Sequence, residues 1–411
     1  MSSINLTTLD KAFLIKWGKG AEGLVDLTLD EDPFLRWVPK DSKFGGKSRK
    51  IVPRVNGTRG ANDYGTAKEN VNAPTTVEYT ITRGAEYDPI SIDCEAIAAA
   101  ETDPGALEDS MTTGSKCAAY EHGRAMSSML WGNGKGARGQ IKSGSTITGT
   151  TLTLRESHYA RFFEKDAVVR LASAESYANV RNGKLTVAKV NSETGVITFN
   201  EDVDATIPDV TDNDFLFRDG TKRPFLGVFA WIPYADLSES DALYTAFNGV
   251  DRTIYTSRLT GTHLDTGGGN IEDALIDLLH KINDNGGRPD SFWMNTQDYG
   301  RLEKEMGARA VIDMVQYKDV KMGFPAMKIR TGNGDVAIMS SPDCRRGHGV
   351  AMKRSEIVFS MLRTWAHFVD EDKMKWRHED SEDAVSAMMR TWGNLLVFET
   401  HHFGSVKFYS P

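Results

Sequence analysis

The segment RPDSFWMNTQDYGRLEKEM, residues 288 to 306, is the stretch whose residue types come closest to a catalytic corner. An apolar strand at 291–294 leads directly into Asn295 and Thr296, which open a short helix. Such corners present catalytic side chains in many α/β enzymes, but no histidine or nucleophile accompanies this one. Each polar residue of the corner has a structural explanation. Asn295 or Thr296 caps the helix and Asp298 lies in its first turn, while Tyr299, Leu302 and Met306 form its inner face. We therefore predict that the corner maintains a shape and that the chain is not an enzyme.

Other residues of possible chemical interest also have structural explanations. His401 and His402 fall in a predicted strand, so their side chains should point to opposite faces and share no metal. The glycine-rich stretches at 132–136 and 266–270 lack the Gly-Lys-Ser/Thr pattern of a phosphate loop. The acidic run at 201–214 departs from the spacing of a calcium-binding loop, so we interpret it as a solvated loop. No cofactor and no metal are expected.

Composition excludes several classes of protein. The chain has 411 residues, of which 40% are hydrophobic and 26% charged, enough for two or three compact units. No apolar run approaches the roughly 20 residues of a membrane span, and the first residues do not resemble an export signal. Three dispersed cysteines, Cys94, Cys117 and Cys344, indicate a reducing compartment. A net charge of −8 disfavours a dedicated nucleic-acid binder, although not a protein that encloses packed nucleic acid.

Residues 44–93 read as two long strands around a flexible tip. The strand SRKIVPRV is followed, after a stretch rich in glycine and asparagine, by TTVEYTITR, in which Val77, Tyr79 and Ile81 alternate with polar residues. This period of two is typical of a half-buried strand. Because a two-stranded arm is marginal by itself in water, it needs a partner surface.

A long helix follows at 103–131. Asp103 is a suitable N-cap and Pro104 suits the first helical position, whereas Gly132 ends the helix. Its predicted inner stripe is Leu107, Met111, Ala118, His122, Ala125 and Met129. About 27 residues at 1.5 Å each give a rod of roughly 40 Å.

The rest of the chain changes from β-rich to α/β. Short strands separated by turn residues at 138–228, such as KLTVAKV and VITF, predict a small antiparallel barrel inserted into a host domain. Beyond it we predict a helix at 271–284, capped by Asn270 and ended by Gly286. Its inner positions are Ile271, Leu275, Leu278 and Ile282. The tail from 384 reads as one or two long strands.

This order of parts resembles the major capsid proteins of tailed bacteriophages, the Hong Kong 97-like fold. The resemblance implies an α+β fold with an N-terminal arm, an extended β-loop, a spine helix with a peripheral sheet, and an α/β axial domain, plus the inserted β-barrel. The implied domains are an arm at 1–43, the extended loop at 44–93, the spine helix and first peripheral part at 94–137, the barrel at 138–228, the axial domain at 229–364 and the second peripheral part at 365–411.

The resemblance also implies partners and a location. The chain would self-assemble into pentamers and hexamers that form the icosahedral shell around the double-stranded DNA genome, in the virion and, during assembly, in the host cytoplasm. No helical scaffolding segment is apparent, so a separate scaffold protein is expected, together with a portal. Decoration proteins are left open, and no crosslink is assigned to Lys47, Lys50 or Lys68. Contact with packaged DNA would be non-specific, and no membrane is involved.

Charge suggests where subunits meet. The base of the extended loop is basic, and residues 370–383 are acidic, so we predict that the two dock between neighbouring subunits. The residues assigned to this contact are Lys47, Arg49, Lys50, Arg54, Arg59, Asp370, Glu371, Asp372, Glu379 and Asp380. A simpler interpretation is that the basic and the acidic segment are both exposed to solvent, where ion pairs contribute little. A further interpretation is that the basic loop contacts the packaged DNA.

Three other functions fit parts of the sequence. An encapsulin-like shell protein of a bacterial compartment would share the fold, although such proteins usually lack a large barrel insertion. A secreted β-rich binding protein would explain the barrel but would need an export signal. An α/β enzyme using the corner at 288–306 would depend on Asn295 and Asp298 for activity.

Overall fold

The computed structural model describes residues 27–29, 32–56, 60–71, 75–95, 104–147, 149–307, 312–315, 324–331, 334–368, 375–379 and 383–409. The helices are α1 (Pro33–Trp37), α2 (Tyr64–Glu69), α3 (Pro104–Leu130), α4 (Val203–Thr206), α5 (Val228–Trp231), α6 (Ala242–Thr245), α7 (Thr256–Leu259), α8 (Ile271–Asp284) and α9 (Thr296–Met306). The strands are β1 (Lys40–Asp41), β2 (Ser48–Ile51), β3 (Arg54–Asn56), β4 (Thr75–Thr76), β5 (Tyr79–Thr82), β6 (Gly84–Asp93), β7 (Gly139–Gln140), β8 (Thr151–Thr153), β9 (Val168–Ala172), β10 (Leu185–Asn191), β11 (Val196–Phe199), β12 (Phe215–Arg218), β13 (Thr262–Asp265), β14 (Ser291–Asn295), β15 (Ile312–Val315), β16 (Phe324–Thr331), β17 (Gly334–Ser341), β18 (His348–Met352), β19 (Ile357–Met361), β20 (His367–Phe368), β21 (Arg377–His378), β22 (Ala384–Val397) and β23 (Gly404–Lys407). No helix in these ranges is long and apolar enough to cross a membrane.

The chain divides into two compact units. Unit 1 comprises Met1–Leu35, Gly84–Leu226 and Arg363–Trp392, and unit 2 comprises Arg36–Arg83, Gly227–Leu362 and Gly393–Pro411. The architecture is mixed α+β, as the sequence predicts.

Unit 1 contains the long helix. Helix α3 spans 27 residues and starts at Pro104, which confirms the predicted helix and its first position. Of its predicted inner stripe, Ala118, His122, Ala125 and Met129 are buried, while the side chains of the first two positions lie outside the described residues. The helix packs against β6, and β6 pairs with β22 in the same unit.

Unit 1 also contains a six-stranded antiparallel sheet in the order β7-β12-β9-β10-β11-β8. The β10–β11 hairpin confirms the clearest predicted element of this region. The pairing of the named strands leaves two ends, so a closed barrel is not confirmed. The ends nevertheless touch, because Ile141 and Leu154 form an isolated antiparallel bridge and the Arg155 amide donates to the Gln140 carbonyl at 2.8 Å.

Unit 2 contains a mixed seven-stranded sheet in the order β13-β23-β18-β14-β17-β16-β15. Strand β14 lies in its middle, parallel to β17 and antiparallel to β18, and is buried along its whole length. Helices α8 and α9 share an apolar core with this sheet. The four predicted inner positions of α8, Ile271, Leu275, Leu278 and Ile282, are all buried, which confirms that helix face.

The start of α8 differs from the sequence prediction. Asn270 occupies the N-cap position but makes no side-chain cap bond. Instead, the amides of Ile271 and Glu272 donate to Oε2 of Glu305 on α9, at 2.9 and 3.3 Å. A carboxylate suits this position because the first amides of a helix lack partners within it and carry partial positive charge. The cap is therefore supplied by a neighbouring helix.

The predicted two-stranded arm is present in unit 2. Strand β2 pairs with β5 and β3 pairs with β4, both antiparallel, and helix α2 lies beyond them. Tyr79 and Ile81 are buried while Thr80 and Thr82 are exposed, which confirms the alternation read from the sequence. We call residues 48–82 the hairpin.

Candidate functional site

The far part of the hairpin exposes large apolar side chains. Tyr64 is 82% exposed and Val71 79%. At the base, by contrast, Tyr79 and Ile81 are 1% and 0% exposed. The Tyr79 ring packs edge-on against Trp231, with ring centroids 5.5 Å apart. The hairpin is thus anchored at one end and incompletely buried at the other.

Two of the predicted contact cations have partners in their own unit. Arg49 donates from Nη1 to the Asp41 carboxylate at 3.3 Å and also to the Ser360 hydroxyl. Lys50 pairs with Glu78 at 2.6 Å, but these side chains are 63% and 47% exposed, so the pair contributes little to stability. Arg49 therefore holds the hairpin base in position.

The remaining predicted contact residues divide by what the structure describes. Lys47 and Arg54 are exposed and form no ion pair within the described parts of the chain. Glu379 is exposed, and its amide donates to the Ala384 carbonyl at 2.9 Å. The predicted contact residues that lie outside the described residues are Arg59, Asp370, Glu371, Asp372 and Asp380. Whether any of these residues meets a neighbouring subunit remains a prediction.

In the corner at 288–306 the polar side chains are used to maintain the local structure. Asn295 accepts from the Gln297 amide at 3.0 Å, which identifies it as the cap, and donates to the carbonyls of Pro342 and Cys344 at 3.1 and 2.8 Å. Asp298 is fully buried. Its carboxylate accepts from the Gly347 amide at 2.8 Å and from the Tyr409 hydroxyl. These bonds fix two loops and the end of the chain to α9.

Unit 1 holds a buried ionic network that sequence patterns did not reveal. His122 of α3 lies 2.7 Å from Asp88 through Nδ1 and 2.8 Å from the Thr391 hydroxyl through Nε2. Arg218 of β12 donates to Glu86 at 3.0 Å and to Asp88 at 3.2 Å. The network therefore connects β6, the long helix, β22 and the six-stranded sheet. Removing one partner of such a buried pair would leave the other charge without compensation.

The two carboxyl groups of this network respond differently to burial. Burial and the Asp88 charge raise the pKa of Glu86, although Arg138 and Arg218 oppose the change. Burial also acts to raise the pKa of Asp88, but the hydrogen bond from His122 and the Arg218 charge outweigh it and hold that pKa below its usual value. One carboxylate is therefore firmly ionised and the other is protonated more easily.

A second carboxyl pair lies on the outer side of α3. Burial, followed by a hydrogen bond to Glu164 and its charge, raises the pKa of Glu121 to about 8. Arg124 contacts Glu164 and donates to the Arg161 carbonyl, so it links α3 to the turn at Ser157–Phe162. Glu121, Arg124 and Glu164 therefore join the helix to the segment at 157–164.

The prediction for His401 and His402 was wrong. The residues lie in a 3-10 turn, Thr400–His402, and their ring centroids are 4.0 Å apart instead of on opposite faces of a strand. With Glu399 they form a group whose ligand atoms lie within 4.8 Å of one another. However, both ring nitrogens of His402 face donors, since the Arg288 amide donates to Nδ1 at 2.9 Å and the Lys353 ammonium lies 3.3 Å from Nε2. This arrangement opposes metal binding.

Arg252 is the largest buried polar group that the sequence did not single out. It is fully buried, and its guanidinium donates to the carbonyls of Leu243, Trp231 and Ala230 at 2.7, 2.8 and 3.0 Å. Burial lowers its pKa to about 10, which leaves it charged at neutral pH. These bonds join Arg252 to the two segments that carry Trp231 and Leu243.

Comparison with known proteins gives structural but not sequence matches. No protein-family model and no curated protein matches the chain. A virus-like particle from Pyrococcus furiosus is similar with 9% identity and a TM-score of 0.41, over 94% of this chain and 96% of that one. The capsid of cyanophage A-1(L) is similar with 8% identity and a TM-score of 0.47, over 92% and 91%. The procapsid of satellite phage P4 is similar with 9% identity and a TM-score of 0.41, over 100% of this chain and 98% of that one.

An encapsulin is a partial match. The holo-SrpI encapsulin complex of Synechococcus elongatus gives 12% identity and a TM-score of 0.26, over 36% of this chain and 52% of that one. The structural neighbours that extend over nine-tenths of this chain include phage capsid shells.

Proposed function

We propose that the chain is a major capsid protein, which self-assembles into pentamers and hexamers and closes into the icosahedral shell around the double-stranded DNA genome of a tailed phage. Its role is structural, in the virion. Assembly takes place in the host cytoplasm with a separate scaffold protein and a portal.

The observation that carries the proposal is the hairpin, anchored at its base and apolar at its far end. Tyr64 and Val71 are the most exposed large apolar side chains in the described residues. Their burial requires another molecule, since a two-stranded arm cannot cover them alone. If that molecule is a second copy and the receiving surface is not the hairpin itself, the contact is heterologous and closes into rings where the rotation between subunits permits.

The domains of the proposed capsid subunit follow the sequence. Residues 44–93 serve as the extended loop, 94–137 with 365–411 as the peripheral domain, and 229–364 as the axial domain. Within 138–228, the six-stranded sheet serves as an inserted barrel. The Ile141–Leu154 bridge supports closure, because it joins the two end strands of the sheet.

Charge refines the predicted docking between the hairpin base and residues 370–383. Lys47 and Arg54 are exposed and unpaired in the described residues, so they are the cations available to a neighbour. Arg49 is needed inside its own subunit, where it bonds to Asp41 and Ser360. We therefore assign the intersubunit role first to Lys47 and Arg54.

The decisive experiment is electron microscopy of the purified chain expressed with a candidate scaffold protein. Negative staining should show closed shells of uniform size. A stable monomer at high concentration, with the far end of the hairpin protected from solvent, would contradict the proposal, because the exposed side chains would then be covered within the same molecule.

A further inference from the structure

Three cations gather at one surface of unit 2 without acidic partners. Arg258, Arg288 and Lys353 have no carboxylate within the 4.0 Å ion-pair distance among the described residues. Arg288 is exposed, and the other two are half-buried. We call these three residues the basic cluster. Unpaired cations so close together repel one another, which is unfavourable unless an anion is bound.

The cluster is built around the turn that carries the two histidines. Lys353 Nζ lies 3.3 Å from His402 Nε2, and the Arg288 amide donates to Nδ1 of the same ring. The Thr400 hydroxyl donates to the Arg258 carbonyl. The Lys353 ammonium and the backbones that carry Arg258 and Arg288 therefore all contact one short turn.

Close backbone packing makes this arrangement rigid. A Cβ atom added to Gly287 would lie 2.3 Å from the His401 carbonyl oxygen, so only glycine allows the two segments to approach. The segments that carry Arg288 and the turn are thus held against each other, which keeps the backbone of the cluster in place.

The nearby acids form no ion pair with the cluster, although the Lys353 charge acts on the pKa of Asp290, which accepts from the Arg354 amide. Burial, then His401 and the cations around it, lower the pKa of His402 to about 4, so the ring is neutral at pH 7. Glu399 faces the histidine rings, at 3.6 and 3.8 Å, and not the cations. Glu356 accepts from the Ser355 hydroxyl at 3.1 Å.

We propose that the basic cluster binds the phosphate backbone of double-stranded DNA. Two guanidinium groups and an ammonium group on one surface attract phosphate, and guanidinium groups bind phosphate in a bidentate manner. The contact is independent of sequence. It rests on the proposed function, since the shell would bring the genome to this surface at high local concentration.

The test is the salt dependence of DNA binding by unassembled subunits, measured by fluorescence anisotropy with a mixed-sequence DNA duplex. The variant Arg258→Gln/Arg288→Gln/Lys353→Gln should lower the slope of log affinity against log salt by about 2 to 3, because each phosphate contact contributes about 0.9. Affinity at about 50 mM salt should fall about tenfold or more. Arg288→Gln alone, whose side chain has no partner in the described residues, should lower the slope by about one.

A matched control separates the cluster from overall charge. Lys142→Gln/Lys165→Gln/Lys189→Gln removes the same charge from exposed lysines of unit 1 and should leave the slope unchanged. If the cluster variant binds DNA with the affinity and salt dependence of the parent, the inference is overturned. If that variant also still forms shells, the proposed function is unaffected. Loss of shells with unchanged DNA binding also overturns it, because the cluster would then join copies of the chain.

Discussion

The corner at 288–306 and the hairpin at 48–82 lie in the same unit and use their side chains in opposite ways. In the corner, Asn295 and the buried Asp298 pair their polar atoms with backbone and hydroxyl groups of the same unit. In the hairpin, Tyr64 and Val71 remain more than three-quarters exposed. The corner is complete within one subunit and the hairpin is not. Substitutions in the first should therefore affect folding, and substitutions in the second should affect assembly.

The largest effect is expected in the corner. Asp298→Ala leaves the Gly347 amide and the Tyr409 hydroxyl without their buried acceptor, so the free energy of unfolding should fall by about 3 kcal/mol. Urea unfolding of unassembled subunits measures it. Asp277→Ala, at an exposed position on α8, is the control and should change stability by less than about 0.5 kcal/mol. Equal effects of the two variants would mean that the corner is not held as described.

The hairpin should give the opposite result. Tyr64→Ser should leave the urea midpoint of the subunit unchanged, since the side chain is 82% exposed. If the ring is buried between subunits, losing it costs about 2 kcal/mol per contact and raises the concentration needed for assembly about 30-fold. Light scattering of assembling subunits measures this concentration. Normal assembly of the variant would show that Tyr64 is not part of the intersubunit surface.

A smaller effect is expected from the charges at the hairpin base. Lys47→Glu with Arg54→Glu should weaken assembly about tenfold at low salt and less at high salt, because exposed charges are screened. The control variant Lys142→Glu with Lys189→Glu changes exposed positions of unit 1 and should leave assembly unchanged at either salt concentration. Intact shells that lose their DNA would show that the base touches the genome rather than a neighbour.

The smallest effect is expected at Glu121, whose side chain is 39% exposed, so that solvent screens its interaction with Glu164. Its pKa in the folded chain is about 8, above the usual carboxyl value, so the folded state binds the proton more tightly. Its contribution to stability is thus fully present at low pH and is lost as the pH rises towards 8. Glu121→Gln should flatten the decrease in urea midpoint between about pH 5 and 8. An unchanged pH profile would mean that burial and Glu164 do not raise the pKa of Glu121 in the folded chain.

Local patterns predicted the elements, and contacts between distant segments determined the rest. Periodicity gave α3, the inner face of α8 and the alternation of Tyr79 and Ile81. The bond between Arg218 and Glu86 joins residues 132 apart, for which no local signal exists. The turn at His401 and His402 was missed because neither glycine nor proline marks it.

The carboxylate of Glu305 on the first amides of α8 has a consequence for the order of folding. The start of α8 is not stabilised by its own sequence, so its first turn can become stable only after α9 has docked. We expect the amide hydrogens of Ile271 and Glu272 to exchange with deuterium at the rate at which α9 detaches. The two helices would then form one cooperative unit, which opens and closes together.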